Sequence, residues 1–271
     1  MSVRIEKSGA VWTVIHDRPQ ARNAMDPASA DALTQAFLDF DRDPTASVAV
    51  FWGAGGAFCA GWDLKYVSTL NADYPLGELD IPPHKPRGNG GEIPRGPLGP
   101  SRLELDKPVI AAIEGPAVAG GMELGLWCDF RVMASDAYFG VYCRRWGVPL
   151  IDGGTVRLPR IVGQGRALEI ILTGRKVPAD ECLRIGLCEH VTEPGGARAK
   201  AEAIAQEIAR FPQVCVRADR RSAIKGHGLP VRDALIQEWY NGREALVEDG
   251  VAGASRFKDG MGRHGDFAKI R

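Results

Sequence analysis

The pattern of hydrophobic and polar residues predicts strands in the first half of the chain. Alternating hydrophobic and polar positions predict two strands that flank Ser8-Gly9 and pair as a hairpin. Short, nearly continuous apolar runs bounded by turn residues predict buried strands. The predicted strands cover residues 3–6, 11–15, 47–53, 109–114 and 130–134. Because helical patterns separate several of these strands, the chain is predicted to have a mixed α/β fold.

Apolar residues at helical spacing occur early in the chain and dominate it after residue 155. Residues 27–41 place Leu33, Phe37 and Phe40 at helical spacing, and Asp26-Pro27 supplies the predicted N-cap and first helical residue. Further helices are predicted to begin near residue 121 and to cover residues 165–172, 179–185, 196–210, 212–225 and 231–248. The pattern thus predicts a core over residues 1–195, and a helical C-terminal region over residues 196–271.

Residues 74–100 interrupt the order of strands and helices. This stretch is crowded with proline and glycine and has no apolar periodicity. It is therefore predicted to be a long loop inserted between regular elements. Because the loop closely follows a turn that we describe below as a candidate site, we expect it to border the ligand pocket and to be mobile without ligand.

Composition narrows the class of protein. The 271 residues include 45% hydrophobic and 25% charged residues, which is typical of a globular protein. Lys+Arg and Asp+Glu are both 34, so the net charge is about zero. This net charge gives no reason to expect nucleic acid or an anionic membrane as a partner. There is no apolar run of membrane-spanning length and no signal-peptide core at the first residues, so we expect a cytoplasmic protein. The six cysteines form no C-x-x-C pair and are expected to be mostly buried thiols.

Several familiar kinds of catalytic or binding site are excluded by their missing motifs. The sequence has no G-x-S-x-G elbow, no H-E-x-x-H and no Gly-Lys dipeptide of a P-loop. The glycines after residue 53 do not follow the dinucleotide-binding spacing G-x-G-x-x-G. The five histidines are scattered along the chain, so we expect no metal site.

Two turns rich in small residues each follow a predicted buried strand. One lies between the strand at 109–114 and the helix near Gly120-Gly121, and Glu123 follows inside that helix. A helix start has unpaired N–H groups and partial positive charge, and glycine lets a ligand oxygen approach the backbone. The other turn, at residues 57–65, follows the strand at 47–53. The pattern predicts a donor for a developing oxyanion beside an acid/base, Glu123.

These turns resemble segments of a known family. Phe58-Cys-Ala-Gly-Trp-Asp-Leu64 and Ala117-Val-Ala-Gly-Gly-Met-Glu-Leu-Gly125 resemble the two signature segments of the enoyl-CoA hydratase/isomerase (crotonase) superfamily. Other segments that resemble the family follow in the expected order: Asp17-Arg-Pro-Gln-Ala-Arg-Asn-Ala-Met25, Lys107-Pro-Val-Ile-Ala-Ala-Ile-Glu-Gly115, Phe139-Gly140, Gly153-Gly-Thr-Val-Arg-Leu-Pro-Arg160 and Leu172-Thr-Gly-Arg175. The resemblance implies an α/β fold, a crotonase-like spiral of ββα units with a helical C-terminal region.

The resemblance also implies chemistry on an acyl-CoA thioester. Family members stabilise an enolate-like oxyanion with two backbone N–H groups, which by position are those of Trp62 and Gly120. The Trp62 indole is expected to narrow the acyl pocket, and the alternative is a tryptophan that only packs in the core. Coenzyme A belongs to the substrate, so no separate cofactor is expected. Ala60, Asp63 and Cys143 are assigned to substrate binding. Arg22 and Lys65 match positions that present basic side chains to CoA, and the alternative is that they are solvated surface cations. Family members are usually trimers or dimers of trimers, so a homo-oligomer is expected.

The catalytic carboxylates depart from the family pattern. Family hydratases use two glutamates around a water molecule, and Glu123 matches the first. Cys143 stands where the second glutamate is expected, and no carboxylate lies between Gly140 and Asp152. Asp152 precedes a glycine pair and resembles an aspartate that dienoyl-CoA isomerases and chlorobenzoyl-CoA dehalogenases place in the same loop. Asp152 is therefore our candidate for the second catalytic carboxylate, and the alternative is an aspartate that only shapes the turn.

Three functions remain open from the sequence. We expect an enoyl-CoA hydratase-like enzyme that hydrates a 2-enoyl-CoA reversibly. The first alternative is a dienoyl- or enoyl-CoA isomerase, or an acyl-CoA hydrolase, of the same fold. The second is an acyl-CoA-binding protein with little catalytic activity, because the second glutamate is missing. Whether Asp152 faces Glu123 across the thioester discriminates between them.

Overall fold

Two β-sheets organise the described part of the chain, residues 2–81 and 94–262 of this computed structural model. The larger sheet has the strand order β1-β2-β3-β4-β6-β9, and the smaller sheet has the order β5-β7-β8. The strands are β1 Val3–Ser8, β2 Val11–His16, β3 Val48–Gly53, β4 Val109–Ile113, β5 Pro116–Val118, β6 Phe130–Ala134, β7 Tyr138–Gly140, β8 Lys176–Pro178 and β9 His190–Thr192. In the larger sheet β1 and β2 form the predicted antiparallel hairpin, and the later pairs are parallel.

Helices connect and cover the strands, and they dominate the chain after β9. They are α1 Pro27–Arg42, α2 Leu64–Val67, α3 Gly120–Trp127, α4 Gly154–Val162, α5 Gln164–Thr173, α6 Ala179–Arg184, α7 Ala197–Ala209, α8 Gln213–Gly226, α9 Val231–Ala245 and α10 Val251–Lys258. A π-helical turn, Leu246–Gly250, joins α9 to α10. The sequence analysis missed α4, which contains Pro159 in its interior, a position where proline normally disrupts a helix.

Helix α1 forms as predicted and supplies much of the core. The Asp26 carboxylate caps the helix by accepting a hydrogen bond from the Ser29 N–H at 2.8 Å. Leu33, Phe37 and Phe40 are buried against the larger sheet. The Phe37 ring meets the Phe51 ring edge to face, with centroids 5.4 Å apart. This ring contact joins α1 to β3, the strand that leads into the first candidate turn.

The helices after residue 195 contact the sheet and also expose apolar residues. Helix α7 packs on β2, β3, β4 and β6 of the larger sheet. Helix α9 packs against α8 and leaves apolar side chains exposed: Leu235, Ile236, Trp239 and Tyr240. Exposed apolar surface of this kind is typical of protein contacts, and the homo-oligomer stays a prediction. Among the described residues, no helix is both long and apolar enough to cross a membrane.

Three strands of the smaller sheet and the 74–100 region differ from the sequence analysis. Strands β5, β7 and β8 have three residues each, which is too short for a visible alternation of hydrophobic and polar positions. Within the predicted loop, Gly77–Leu79 forms a single 3₁₀ turn, and Gly96 and Gly99 pair through a bridge. Residues 82–93 lie outside the described residues, and mobility of this loop stays a prediction.

Candidate functional site

The first predicted turn lies directly against the second. Strands β3 and β4 pair in parallel, so the segments that follow them leave the same edge of the sheet. Cys59 and Ala117 form a parallel bridge, and the Cys59 carbonyl accepts a hydrogen bond from the Val118 N–H at 3.0 Å. Gly61 has a φ of +89°, and a Cβ atom there would lie only 2.9 Å from the Gly120 nitrogen. The two turns are therefore in contact, as the sequence analysis predicts.

The early segment at residues 17–25 fixes the first turn. The Asn23 amide donates to the carbonyls of Ala54 and Ala57 at 2.8 and 2.7 Å. The Arg18 guanidinium forms a 2.8 Å ion pair with Asp63, next to Trp62. These buried or half-buried contacts hold the backbone on both sides of the turn. The Trp62 N–H is thus positioned by residues more than thirty positions away in the chain.

A strained residue, Ala119, orients the backbone of the second turn. Ala119 has a φ of +53°, a region that residues with a Cβ rarely adopt, and its N–H donates to the Gly140 carbonyl at 2.7 Å. Such strain often marks a functional site. Helix α3 begins at the next residue, Gly120. Within the described residues, no hydrogen bond uses the N–H of Gly120 or Trp62, so both are available to a ligand.

A cleft beside the two turns collects most of the predicted site residues. It encloses about 530 Å³ of empty space, part of which is open to solvent. The predicted residues that line it are Ala60, Trp62, Gly120, Glu123, Cys143 and Asp152. Leu98 also lines it, so the predicted loop borders the cleft at its C-terminal end. The cleft brings two carboxylates together with two N–H groups that make no hydrogen bond among the described residues.

Glu123 is buried at the inner wall of this cleft. Its side chain belongs to α3, and the residue is 2% exposed. One carboxylate oxygen, Oε1, accepts hydrogen bonds from the N–H groups of Asp152 and Gly154 at 2.9 and 2.8 Å. Burial, followed by the nearby charge of Asp152, raises the pKa of Glu123 to about 7. A carboxyl with such a pKa can both accept and release a proton near neutral pH.

Asp152 is the second carboxylate of the cleft. Its Oδ1 accepts a hydrogen bond from the Leu98 N–H at 3.1 Å and another from the Ser101 hydroxyl. Burial raises the pKa of Asp152, although these hydrogen bonds and two nearby arginines oppose the effect. Asp152 therefore lies beside Glu123, and its carboxylate also holds the end of the 74–100 loop. A catalytic role for Asp152 stays a prediction.

Cys143 lines the same cleft as a neutral thiol. Burial raises the pKa of this thiol, and the charge of Glu123 raises it further. A thiol with a raised pKa is a weak acid and carries little thiolate near neutral pH. Cys143 therefore does not reproduce the glutamate that the family pattern places there.

Three predicted substrate contacts lie outside the lining of the cleft. The Asp63 carboxylate pairs with Arg18 and caps α2 by accepting a hydrogen bond from the Lys65 N–H at 3.0 Å. Arg22 and Lys65 are exposed beside the first turn. Contacts of these three residues with CoA stay predictions.

The comparison with known proteins agrees with this geometry. The sequence profile described as enoyl-CoA hydratase/isomerase matches residues 6–76 and 101–230 of the chain. The chain belongs to the enoyl-CoA hydratase/isomerase family. The match includes both turns, Glu123 and Asp152. The crotonase fold predicted from the sequence is thereby confirmed, and the chain is an enzyme of that family.

Family relatives align over most of their length. The enoyl-CoA hydratase EchA19 of Mycobacterium tuberculosis is 33% identical over 252 residues, which are 90% of this chain and 88% of the relative. An (E)-benzylidenesuccinyl-CoA hydratase of Thauera aromatica is 33% identical over 87% of both chains. The crystal structure of an enoyl-CoA hydratase from Mycobacterium tuberculosis H37Rv has a TM-score of 0.84 and 31% identity, covering 95% of this chain and 96% of the other.

The sequence analysis missed the residues that support Asp152. The half-buried Arg157 guanidinium donates to the carbonyls of Asp152 and Ser101 at 2.9 and 2.8 Å. It thereby ties the Asp152 loop to the end of the 74–100 loop. Arg157 lies in the segment after Gly153 that resembles the family. The sequence therefore indicates where Arg157 lies, but it does not indicate which residues Arg157 contacts. Nothing in the sequence singles out Ser101.

The contact between the two turns predicts a strong effect for Gly121→Ala. A Cβ at residue 121 overlaps the Cys59 carbonyl, which belongs to backbone and moves only if the first turn moves. We expect turnover of the best acyl-CoA substrate to fall by about 10²-fold, because losing one oxyanion donor costs about 10²–10³-fold. Gly165→Ala in α5 is the control, since its Cβ meets nothing within 4 Å. Steady-state kinetics check this, and equal activity of both variants contradicts it.

Proposed function

We propose that this protein hydrates the double bond of a 2-enoyl-CoA thioester reversibly. The observation that carries the proposal is the buried carboxyl pair, Glu123 and Asp152, in one cleft with the N–H groups of Trp62 and Gly120, which are unpaired within the part of the chain that the structure describes. Water addition needs a group that takes a proton from water and a group that gives a proton to the α-carbon. The cleft supplies candidates for both.

The two backbone donors explain how the thioester becomes reactive. When water adds to the β-carbon, negative charge develops on the thioester oxygen. The N–H groups of Trp62 and Gly120 stabilise this charge in the proposal, because they are held in place before the reaction begins. The strained Ala119 and the anchored first turn supply that preorganisation.

The carboxyl pair holds one proton near neutral pH in this proposal. Burial raises the pKa of Asp152, while the donors at Leu98 and Ser101 oppose that shift and favour its ionised form. Burial and the charge of Asp152 favour the protonated form of Glu123. One ionised and one protonated carboxyl is the state that hydration requires, and dehydration uses the same pair with the roles exchanged.

One observation favours a second candidate function, the isomerisation of a 3-enoyl-CoA to a 2-enoyl-CoA. Asp152 Oδ1 already accepts hydrogen bonds from Leu98 and Ser101, both from the segment that borders the cleft. If Asp152 serves only to hold that segment, Glu123 is the single proton carrier. One carboxyl is enough to move a proton from the α-carbon to the γ-carbon of the same enolate.

A panel of thioesters tests the proposed function. The protein is incubated with 2-enoyl-, 3-enoyl-, dienoyl- and aryl-substituted acyl-CoAs, and the products are measured by mass spectrometry. We expect 3-hydroxyacyl-CoA from a 2-enoyl-CoA, with a mass gain of one water. An isomer of unchanged mass from the 3-enoyl-CoA alone supports the second candidate. Release of free CoA without hydration indicates hydrolysis, and absence of any product from the whole panel contradicts both.

A further inference from the structure

Three aromatic side chains line the same cleft as the carboxyl pair. Trp62 follows Gly61 in the first turn, and Tyr142 and Trp146 begin and end the 3₁₀ helix Tyr142–Trp146. Phe, Trp and Tyr make up 7% of the chain, so three such residues in one cleft are an enrichment. None of the three residues donates the hydrogen bonds that the carboxylates of Glu123 and Asp152 accept among the described residues.

The ring of Tyr142 contacts two neighbouring side chains. The Arg145 guanidinium stacks over it at 4.0 Å from the ring centroid, and the Tyr138 ring lies 6.2 Å away. Gly140 leaves room for the ring, because a Cβ there would come within 2.6 Å of a Tyr142 ring carbon. A ring fixed before ligand binding loses little side-chain entropy when it contacts a ligand.

Trp146 offers a large apolar surface at the rim of the cleft. The residue is 69% exposed although it lines the cleft. An exposed indole beside a concave site is suited to cover a ligand that fills the site. The backbone N–H of Trp62 is one of the two proposed oxyanion donors. The aromatic surface therefore extends from the position of the thioester to the rim of the cleft.

We propose that the acyl group of the substrate carries an aromatic ring, which packs against Tyr142 and Trp146. This inference rests on the proposed function, since it names the class of acyl group that enters the same site. Aromatic pairs in offset or edge-to-face contact are favoured beyond the area that they bury. A saturated ring of equal carbon number buries comparable area without that contribution. Comparing the two rings therefore separates the effect of aromaticity on affinity from the effect of size.

Binding of two unreactive thioesters tests the inference. The pair is 3-phenylpropanoyl-CoA and 3-cyclohexylpropanoyl-CoA, which have the same number of carbons and no double bond to hydrate. Calorimetry on the wild-type protein is expected to give a Kd for the phenyl compound about tenfold lower, the order of one or two aromatic contacts. Equal affinities, tighter binding of the cyclohexyl compound, or binding of neither overturns the inference.

Variants assign the preference to the rings. Tyr142→Leu and Trp146→Leu are each expected to bring the two Kd values within about threefold, as expected when one such contact is lost. Trp52→Leu, which removes a half-buried indole outside the cleft, keeps the wild-type ratio. Turnover of 2-butenoyl-CoA, which has no ring, separates the two proposals. If that thioester is hydrated while the Kd ratio is near one, the acyl class is wrong and the proposed function stands.

Discussion

Glu123→Gln is expected to lower turnover of the best acyl-CoA substrate by about 10²–10⁴-fold, the usual contribution of a general acid/base. Glutamine keeps the shape of the side chain, and its carbonyl still accepts from the Asp152 and Gly154 N–H groups. Only the proton that moves during the reaction is lost. Steady-state kinetics with wild type and variant measure the effect.

A second buried glutamate provides a matched control for this variant. Glu114 accepts hydrogen bonds from the N–H groups of Gly195 and Ala197 at 3.0 and 2.9 Å, and it does not line the cleft. Glu114→Gln is expected to keep turnover within a few fold of wild type. Turnover of Glu123→Gln within about tenfold of wild type shows that Glu123 is not the acid/base.

Glu123→Gln is expected to gain stability relative to wild type as the pH rises. The folded protein raises the pKa of Glu123 from 4.5 to about 7, so it binds this proton more tightly than the unfolded chain does. The stabilisation of the folded state that comes from this tighter proton binding is fully present below about pH 4.5, and it is lost as the pH rises through about 7. Glutamine does not titrate. The free energy of unfolding of the variant relative to wild type therefore rises by about 3 kcal/mol between about pH 4 and pH 8.

Denaturant unfolding at several pH values measures this trend. Glu114→Gln serves again as the control, because it removes a buried carboxyl outside the cleft. A stability difference between Glu123→Gln and wild type that does not change from about pH 4 to pH 8 contradicts the raised pKa.

Asp152→Asn is expected to lower hydration of a 2-enoyl-CoA by about 10²–10⁴-fold and to leave acyl-CoA affinity nearly unchanged. The asparagine carbonyl still accepts from the Leu98 N–H and the Ser101 hydroxyl, so the loop remains anchored. The variant removes only the second ionisable carboxyl. Mass spectrometry of the product and calorimetry with an unreactive acyl-CoA separate chemistry from binding.

Cys143→Ala is the companion variant for Asp152→Asn. Cys143 lines the same cleft, but burial raises the pKa of its thiol, which therefore stays neutral. Loss of this thiol is expected to change hydration activity very little. Inactive Cys143→Ala together with active Asp152→Asn refutes the assignment. If Asp152→Asn loses hydration but still isomerises a 3-enoyl-CoA, Glu123 alone carries the proton of that reaction, as the second candidate function requires.

The parts of the site that the sequence predicts are local in the chain. Each turn follows a strand whose apolar run is visible, and Glu123 lies in the helix that begins directly after the second turn. Because β3 and β4 are parallel neighbours, the two turns meet at one edge of the sheet. Helix α1 was predictable for the same reason, since its cap and apolar stripe lie within its own sequence.

The parts that the sequence does not predict depend on contacts between distant segments. Ser101 reaches Asp152 across 51 positions, and Arg157 reaches the Ser101 carbonyl across 56. No periodicity or motif in either segment specifies such a partner. The raised pKa of Glu123 also could not be signed from the sequence, because burial and the helix start act in opposite directions until the burial is known.

The pH dependence of kcat/KM for hydration tests the central claim that Glu123 and Asp152 share one proton. This parameter reports the ionisation of the free enzyme. We expect kcat/KM of the wild-type protein to fall above pH 7, because Glu123, with a pKa of about 7, then loses the proton that the pair needs. A value of kcat/KM that stays constant or rises from about pH 7 to pH 9 contradicts the claim.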